Sequence, residues 1–215
     1  MIHFSAQGTP TPNLKKVLSD FYLIVALDAK GGMGLNGKLA WHSATDLKLF
    51  KSITTSPLPP NKLCTQLETV LKTAKGNRPA HQNNCVIMGR KTWESLPPQF
   101  RPLPKRLNMV ISGQPAYNVP SGVSTAHSLN EALRQATNYG CPSVFCIGGA
   151  QLYADALLHP RLQGLFITRL PYVYECDVFF PTLPARFTRQ ARVFPQASDI
   201  KGLFLEYWGL KTNSP

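Results

Sequence analysis

Short apolar segments alternate along this chain with segments of helical periodicity. Residues 21–27 are apolar at every position, which predicts a strand buried on both faces. Four further segments have the same character, at 85–88, 107–111, 143–147 and 165–168. Between them lie helical patterns at 43–53, 91–96, 128–137 and 150–158. Strands that alternate with short helices predict an α/β fold with a central, mostly parallel sheet.

Three stretches depart from this alternation. Residues 1–20 contain a repeated Thr-Pro and little periodicity, so we interpret them as an N-terminal extension. Residues 21–212 then form a single domain, as the length of 215 residues favours. Within it, residues 56–84 open with three prolines and carry one short apolar stripe, which predicts a surface insertion. The stretch 187–210 alternates more regularly and predicts antiparallel strands that close the sheet.

The charge balance favours an anionic partner. The chain has 23 Lys and Arg against 11 Asp and Glu, a formal charge of +12. These cations are spread out and form no aromatic-lined stripe, so a phosphorylated or carboxylated small molecule is a better ligand than nucleic acid. A basic surface that only aids solubility remains an alternative.

The cysteines and the apolar runs indicate a compartment. The five cysteines are scattered and form no CxxC pair, which argues against a zinc site, any other metal site and a disulfide framework. No apolar run reaches the roughly 20 residues of a membrane helix. The N-terminus lacks the apolar segment of a secretory signal, so we expect a cytoplasmic protein with no membrane partner.

A glycine-rich run at 32–39 matches two phosphate-binding patterns, and both are poor interpretations. Four residues separate the run from the preceding strand and no helix begins before about residue 43, whereas the dinucleotide fingerprint joins strand to helix directly. Leu39 follows Lys38 where a P-loop needs Ser or Thr. The run therefore predicts a mobile loop at the border of a ligand crevice, or else a plain flexible connection.

Two other strand ends favour phosphate binding. Gly89 is followed by Arg90 and Lys91 at a predicted helix start, where free amides and cations suit an anion. Gly148 and Gly149 stand between another strand and helix, and paired glycines let a ligand approach the backbone closely. Ordinary turn chemistry is the alternative at both places.

Asp46 is a carboxylate on an apolar helix face. It falls in register with Leu49, Phe50 and Ile53 at helical spacing, so it should turn inward with them. A half-buried carboxylate resists ionisation and needs a partner, which a ligand with N–H groups could supply. Asp46 also lies three residues after Ser43, so a capping box is the structural alternative.

Five motifs in this order resemble the dihydrofolate reductase family, over about residues 21–210. They are Leu39-Ala40-Trp41 followed by Asp46, Met88-Gly89-Arg90-Lys91-Thr92-Trp93-Glu94-Ser95, Arg101-Pro102-Leu103-Pro104-Lys105-Arg106, Ile147-Gly148-Gly149-Ala150-Gln151-Leu152-Tyr153 and Cys176-Asp177-Val178-Phe179-Phe180-Pro181. Residues 97–102 are similar to eukaryotic members, of fungal or protozoan type.

The resemblance implies a fold and an activity. The fold would be a central, mostly parallel eight-stranded sheet flanked by helices. The activity would be NADPH-dependent reduction of 7,8-dihydrofolate to 5,6,7,8-tetrahydrofolate, which supplies one-carbon metabolism and thymidylate synthesis. Antifolate inhibitors would bind the same site, and the protein would be a monomer.

The resemblance also implies roles at the substrate site. Asp46 matches the family's active-site acid, which would bind the pterin 2-amino group and N3 and promote protonation at N5. Arg106 matches the arginine that binds the glutamate α-carboxylate as a bidentate pair. Thr168 and Trp41 would complete the catalytic set. The other substrate-binding positions would be Ile24, Val25, Leu47, Phe50, Leu96, Leu103, Ile147 and Tyr153.

At the cofactor site the resemblance implies backbone and phosphate contacts. Ala26 would hold the nicotinamide carboxamide, and Gly148 and Gly149 would be joined by a cis peptide bond beside the pyrophosphate. Asp177 would contact the mobile glycine-rich loop. The other cofactor-binding positions would be Met33, Gly34, Gly89, Arg90, Lys91, Thr92, Ser112, Gly113, Gln114, His127, Ala150, Gln151 and Leu152.

Two positions depart from the family pattern. Ala40 stands where the family usually has proline, which frees the backbone of the loop. Gly113 replaces a common Ser or Arg at the site of the adenosine 2′-phosphate. That change leaves the preference for NADPH to Ser112, Arg90 and His127.

Three rival interpretations remain at this level. The related reductase domain of riboflavin synthesis shares the fold, but it should lack the roles of Asp46 and Arg106. A basic nucleic-acid-binding module is a rival of another class. The chain could also be the reductase part of a fusion with thymidylate synthase.

Overall fold

The computed structural model describes residues 18–56, 60, 62 and 83–211. In this part of the chain, ten strands and four α-helices follow one another. They are β1 (Phe21–Leu27), β2 (Gly32–Gly34), α1 (Ala44–Thr55), β3 (Cys85–Gly89), α2 (Arg90–Ser95), β4 (Leu107–Ile111), β5 (Val123–Ala126), α3 (Leu129–Asn138), β6 (Val144–Cys146), α4 (Ala150–Leu158), β7 (Leu162–Arg169), β8 (Val178–Phe179), β9 (Phe187–Val193) and β10 (Phe204–Leu210).

Eight of these strands form one sheet in the order β5-β4-β3-β6-β1-β7-β10-β9. The six strands from β5 to β7 pair in parallel, and β10 and β9 add antiparallel. The prediction of a mostly parallel sheet closed by antiparallel strands is therefore confirmed. All six parallel strands end at the same edge of the sheet, where open α/β sheets bind their ligands.

The alternation of side chains along the strands divides the interior into two cores. The first core lies on the side of α3 and α4, where Leu133 and Leu157 pack with Leu23 of β1. The second core lies on the side of α1, where Leu49 and Ile53 pack with strand side chains that include Phe166. Both helical faces are apolar at helical spacing, which is why each helix docks on the sheet.

The predicted elements match the structure to within one or two residues at most ends. The strand predicted at 165–168 begins earlier, at Leu162, because Gly164 interrupts the apolar run that marked it. The short strands β5, β2 and β8 were missed. Part of the glycine-rich run is not an open loop, since Gly32–Gly34 pairs antiparallel with Val178–Phe179.

The predicted insertion at 56–84 and the extension at 1–20 lie mostly outside the described residues. The two ends of the insertion are nevertheless joined. The side-chain amide of Asn84 donates to the carbonyl oxygens of Thr54 at 3.0 Å and of Ser56 at 2.9 Å. Asn84 is buried, so these bonds fix the end of α1 against the start of β3.

Glu206 ties the antiparallel edge to the parallel part of the sheet. Its carboxylate on β10 is buried and binds Arg169 of β7 and Arg189 and Arg192 of β9, at 3.0 to 3.1 Å. The Trp208 indole donates to the same carboxylate. Burial acts to raise the pKa of Glu206, but these donors outweigh it and the pKa lies below its ordinary value.

Among the described helices, none is long and apolar enough to cross a membrane.

Gly164 allows β7 and β10 to approach closely. A Cβ atom there would lie 2.7 Å from the carbonyl oxygen of Trp208 and 2.7 Å from the hydroxyl of Tyr207. The carbonyl belongs to the sheet backbone and cannot move aside. The pairing of the two strands therefore requires glycine at this position.

We expect Gly164→Ala to lower the free energy of unfolding by about 1–3 kcal/mol, as overpacking does in a tight interior. Urea unfolding measures the change. Gly113→Ala is the matched control, because a Cβ there meets nothing within 4 Å. Equal stability of the two variants would contradict the packing argument.

Candidate active site

The first turn of α1 places Asp46 against the sheet. Ser43 caps the helix, and its hydroxyl oxygen accepts from the Asp46 amide at 3.1 Å. Asp46 is 7% exposed and shares the inward face with Leu49 and Ile53, as the helical spacing predicted. Its surroundings include Thr168 and Trp41, both of which are buried.

Strand register explains why Thr168 faces this carboxylate. Thr168 of β7 pairs with Ala26 of β1. Side chains alternate along a strand, so Thr168 shares a face with Phe166, two residues earlier in the second core. That is also the face on which Ile24 and α1 lie. The structure thus brings Thr168 to Asp46 and Trp41, from which it is distant in sequence.

The surroundings of the Asp46 carboxyl group shift its pKa in both directions, and the net shift is upward. Burial raises its pKa above the ordinary value, while the Thr168 hydroxyl and the Trp41 indole act in the opposite direction. The negative charge of Asp199 adds to the rise. Trp41 Nε1 is buried and close enough to Asp46 to lower its pKa, but it makes no hydrogen bond of good geometry with any described residue. The site therefore offers a carboxyl group and an unused donor side by side.

Arg106 lies at the other end of α1. Its side chain is 8% exposed, and it donates through Nε to the Pro104 carbonyl at 3.0 Å and through Nη1 to Thr54 Oγ1 at 2.8 Å. The guanidinium stacks over Phe50, 5.5 Å from the ring centroid. Burial lowers its pKa to about 10, so it stays charged at neutral pH. It makes no ion pair with any described carboxylate, and a carboxylate ligand would fit it well.

One face of α1 connects the two charged groups. Asp46, Phe50 and Thr54 follow at intervals of four residues, so they line one side of the helix. Eight residues of α-helix span about 12 Å. Asp46 and Thr54, which binds the Arg106 guanidinium, are thus separated along the helix by about the length of an elongated ligand, with the Phe50 ring between them.

The other predicted substrate positions are spread around this face. Leu103 is buried in the second core, and Phe50, Leu96 and Ile147 are partly buried against it. Leu47 is 46% exposed, since it lies one residue after Asp46 and points away from the core. The side chain of Val25 packs in the first core, on the opposite face of β1.

Tyr153 also lies in the first core but reaches across to β1. Its hydroxyl donates to the Ile24 carbonyl oxygen at 2.8 Å. Its ring packs edge to face on Phe180 at 5.3 Å. Burial raises the pKa of the phenol well above its ordinary value, and the charge of Asp46 contributes, so the two groups are near one another. Tyr153 is a neutral donor at neutral pH.

A second part of the site lies at the paired glycines. The Gly148–Gly149 peptide bond is cis, as the resemblance implied. The Gly148 carbonyl accepts from the Gly89 amide at 2.7 Å, which joins the starts of α2 and α4. A Cβ on Gly148 would lie 3.1 Å from the Tyr153 ring, and one on Gly149 would lie 3.2 Å from Thr92 Oγ1.

The caps of the helices differ in a way that favours anion binding. Ser43 and Ser128 cap α1 and α3 through their side chains. The N-caps of α2 and α4 are Gly89 and Gly149, and neither helix start has a side-chain cap. The first amides of α4 are therefore available to a ligand, where the helix dipole favours negative charge. Ala150, Gln151 and Leu152 form that first turn.

The residues predicted near the 2′-phosphate do come together. Ser112 and His127 follow the neighbouring strands β4 and β5, and His127 Nδ1 lies 3.2 Å from the Ser112 carbonyl oxygen. The backbone amide of Gln114 donates to the Ser112 hydroxyl oxygen at 3.1 Å. Gly113 between them has open space on its Cβ side, so the position does not require glycine.

Arg90 and Lys91 differ in their surroundings. Arg90 pairs with Glu94 at 2.9 Å, one turn later on α2, while Lys91 is exposed. The Tyr117 hydroxyl donates to the same Glu94 at 3.1 Å. An exposed pair of this kind contributes little to stability, so a phosphate could compete for Arg90.

The glycine-rich run is fixed by two carboxylates. The Asp177 carboxylate accepts from the backbone amide of Asn36 at 2.9 Å, and the backbone amide of Asp177 donates to the carbonyl oxygen of Gly34 at 3.0 Å. These two bonds confirm the expected contact between the two loops. Asp28 is buried and accepts from the amides of Gly32 at 2.7 Å and Tyr174 at 3.0 Å. Burial acts to raise the pKa of Asp28, but these backbone donors outweigh it and hold the pKa below its ordinary value.

Sequence reasoning missed the roles of three of these residues. Asp28 could have been found, because an aspartate just before glycines is typical of an Asx turn. Thr54, which holds Arg106, gave no signal beyond its helical register. Asp199 contacts residues more than 150 positions away, at the start of α1, and carries no local pattern at all.

We expect Asp46→Asn to stabilise the folded protein at neutral pH. The folded pKa of Asp46 lies above its unfolded value, so ionisation of Asp46 costs stability as pH rises through that range. Each unit of difference is worth about 1.4 kcal/mol. Urea unfolding at about pH 3 and about pH 7 measures this, because both proteins are neutral at this position at the lower pH. A variant that gains nothing between the two pH values would contradict the burial argument.

Comparisons with known proteins agree on one family. A family model described as dihydrofolate reductase matches residues 60–207. The dihydrofolate reductase of Pneumocystis carinii is 38% identical over 166 residues, which cover 74% of this chain and 72% of that protein. The dihydrofolate reductase of Aedes albopictus is 31% identical over 175 residues, which cover 79% of this chain and 83% of that protein.

Longer relatives match as well. The bifunctional dihydrofolate reductase-thymidylate synthase of Glycine max is 33% identical over 192 residues, and the match covers 86% of this chain. The chain spans about a third of the length of that relative, 32%. The matched shares and identities, together with the fold, show that this chain belongs to the dihydrofolate reductase family, with relatives of eukaryotic type.

Proposed function

We propose that this protein reduces 7,8-dihydrofolate to 5,6,7,8-tetrahydrofolate with NADPH. The observation that carries the proposal is the geometry of α1, on which the buried Asp46 and Thr54, the residue bound to the buried Arg106 guanidinium, lie about 12 Å apart along the helix axis. Dihydrofolate has the matching chemistry, with N–H donors on its pterin ring and carboxylates on its glutamate. The names of the relatives from Pneumocystis carinii and Aedes albopictus support the same activity.

The proposed substrate orientation follows from the charges. The pterin 2-amino group and N3 donate to Asp46, with Thr168 beside it. Phe50, Leu96 and Leu103 form apolar walls for the pterin and the aminobenzoyl ring. Arg106 binds the glutamate α-carboxylate, which supplies the anion that this buried cation lacks among the described residues.

Asp46 then supports proton delivery. Its raised pKa keeps a larger share of the carboxyl groups protonated near neutral pH than an exposed aspartate would have. The proton is needed at N5 of the pterin, and Trp41 Nε1 offers a donor that can hold a bridging water or ligand atom. The bound cofactor supplies the hydride for C6.

The residues present fit a dinucleotide. The cis glycine pair and the uncapped first turn of α4 form a backbone cradle that a Cβ would fill. We propose that this cradle holds the pyrophosphate, that Ala26 holds the carboxamide and that Met33 and Gly34 border the nicotinamide. The 2′-phosphate lies near Ser112 and His127, within reach of Arg90.

We also propose that antifolate inhibitors bind at the pterin position and that the protein acts as a monomer in the cytoplasm. The described cysteines are free thiols, which supports a reducing compartment. Size-exclusion chromatography with light scattering tests the monomer.

The activity has a direct test. Purified protein is mixed with NADPH and dihydrofolate, and the loss of absorbance of the reduced nicotinamide is followed. We expect turnover that requires both compounds, and a higher kcat/KM with NADPH than with NADH. No turnover by folded protein would overturn the proposed reaction.

We expect Asp46→Asn to lower kcat at neutral pH by about 10²–10⁴, because the carboxyl group assists proton transfer. The loss should shrink at lower pH, where solvent can protonate the substrate. The pH dependence of kcat for both proteins measures it. Turnover equal to that of the wild type at neutral pH would remove Asp46 from the mechanism.

We expect Arg106→Ala to raise the KM for dihydrofolate about 30-fold or more, since truncating one partner of a buried ion pair costs about 2–5 kcal/mol. The KM for NADPH should change little. A substrate analogue that lacks the glutamate provides one control, and Arg134→Ala, an exposed arginine on α3, provides another. If Arg106→Ala raises the KM for dihydrofolate and the KM for the analogue equally, Arg106 acts only on the structure.

A further inference from the structure

The connection between β9 and β10 supplies a carboxylate to the first turn of α1. Asp199 Oδ2 accepts from the Ala44 amide at 2.6 Å, and Oδ1 accepts from the Thr45 amide at 3.2 Å and from the Ser43 hydroxyl at 2.8 Å. The Asp199 amide in turn donates to Thr45 Oγ1 at 3.2 Å. Four contacts therefore join Asp199 to this one turn.

Ser43 relays this contact to Asp46. The Ser43 hydroxyl donates a hydrogen bond to the Asp199 carboxylate, and the same hydroxyl oxygen accepts from the backbone amide of Asp46 at 3.1 Å. The first three amides of α1 are thus bound, two by Asp199 and one by Ser43. Helix N-termini otherwise leave these donors without partners, so the position of the first turn depends on Asp199.

The segment that carries Asp199 also leads into the strand beside Thr168. Ile200 packs against the second core, and Leu205 of β10 pairs with Thr168 of β7. One stretch of chain therefore contacts both the helix that bears Asp46 and the strand that bears Thr168. Movement of this stretch would change the distance between the two groups.

We propose that Asp199 is a positioning residue for Asp46: Asp199 holds the first turn of α1 in place and puts a negative charge at the end of the helix that carries Asp46. This role rests on the proposed function of Asp46. Asp199 itself is exposed and does not reach the face of α1 that we assign to the substrate.

The charge has a defined electrostatic effect. Hydrogen bonds from Thr45, Ser43 and the helix amides hold the pKa of Asp199 well below its usual range, so it is ionised throughout the working range of pH. Its charge disfavours ionisation of Asp46 and adds to the effect of burial. Among the described residues, Thr168 of β7 and the Trp41 indole also act on the pKa of Asp46, and the Tyr153 phenol of α4 lies near it; all three are uncharged at neutral pH.

The substitution Asp199→Asn removes the negative charge of residue 199 and nearly keeps the size and shape of its side chain. We expect the pKa of Asp46 to fall when the neighbouring charge is removed, because that charge disfavours ionisation of Asp46. The protonated fraction of Asp46 at neutral pH then falls, and the pH profile of kcat moves to lower pH by the same amount as the pKa. The pKa is measured by NMR of the Asp46 carboxylate carbon in the free protein. Asp199→Glu keeps the charge and should restore most of the profile.

Asp20→Asn is the matched control. Asp20 is exposed, pairs with Arg161 at 3.3 Å and makes no contact with α1 among the described residues. Its removal changes the net charge equally, so the pKa of Asp46 and the pH profile should stay where they are. Asp199→Ala, which also removes the acceptors, should lower the melting temperature as well as the pKa.

The outcomes are distinguishable. If Asp199 has only a structural role, Asp199→Asn will have a lower melting temperature but an unchanged pKa of Asp46. That result overturns the proposal. If the protein shows no reduction of dihydrofolate, the proposed function fails, and the NMR titration still decides whether Asp199 acts on Asp46. If Asp199→Ala does not fold, Asp199→Asn and Asp199→Glu carry the same test.

Discussion

A carboxyl group buried against a parallel sheet is the constraint on which this structure depends. Placing Asp46 there is unfavourable, and the protein keeps it by surrounding it with groups from distant parts of the chain. Thr168 reaches it because β7 pairs with β1, and the first turn of α1 is held by Ser43 and Asp199. The cost of burial is thus linked to the topology of the sheet and to the docking of one helix. Active sites commonly trade stability for chemistry in this way.

The remaining polar groups of the site follow from which backbone donors are satisfied. Two helices use serine caps, and their first amides are closed to ligands. The helix after the paired glycines has no such cap, and its amides open toward the edge where the parallel strands end. A chain with a formal charge of +12 could attract anions anywhere on its surface. The uncapped turn and the buried Arg106 give that attraction defined places.

Local patterns predicted most of the fold and one inward carboxylate, whereas the roles of Arg106, Trp41 and Thr168 were expected from the family resemblance alone. The apolar runs identified the central strands, and helical spacing identified Asp46 as an inward carboxylate. These features depend on neighbouring residues, which is why a sequence reveals them. Strand β5 was missed because four residues of mixed polarity carry little periodicity. Asp199 and Glu206 were missed because their partners are brought to them only by the sheet. The cis bond at Gly148–Gly149 was expected from the family resemblance alone.

Asn84 joins the two ends of the segment that connects α1 to β3. Its two hydrogen bonds join the end of α1 to the residues just before β3, so whatever lies between starts and finishes at nearly one point. Chain added beyond a closed base costs only a slowly growing closure entropy, about 0.6 kcal/mol for each doubling of length. Evolution can therefore lengthen, shorten or re-sequence this stretch without altering the spacing between Asp46 and Arg106. The position after α1 is thus a place where the length of the chain can change at little cost to the folding of the described domain.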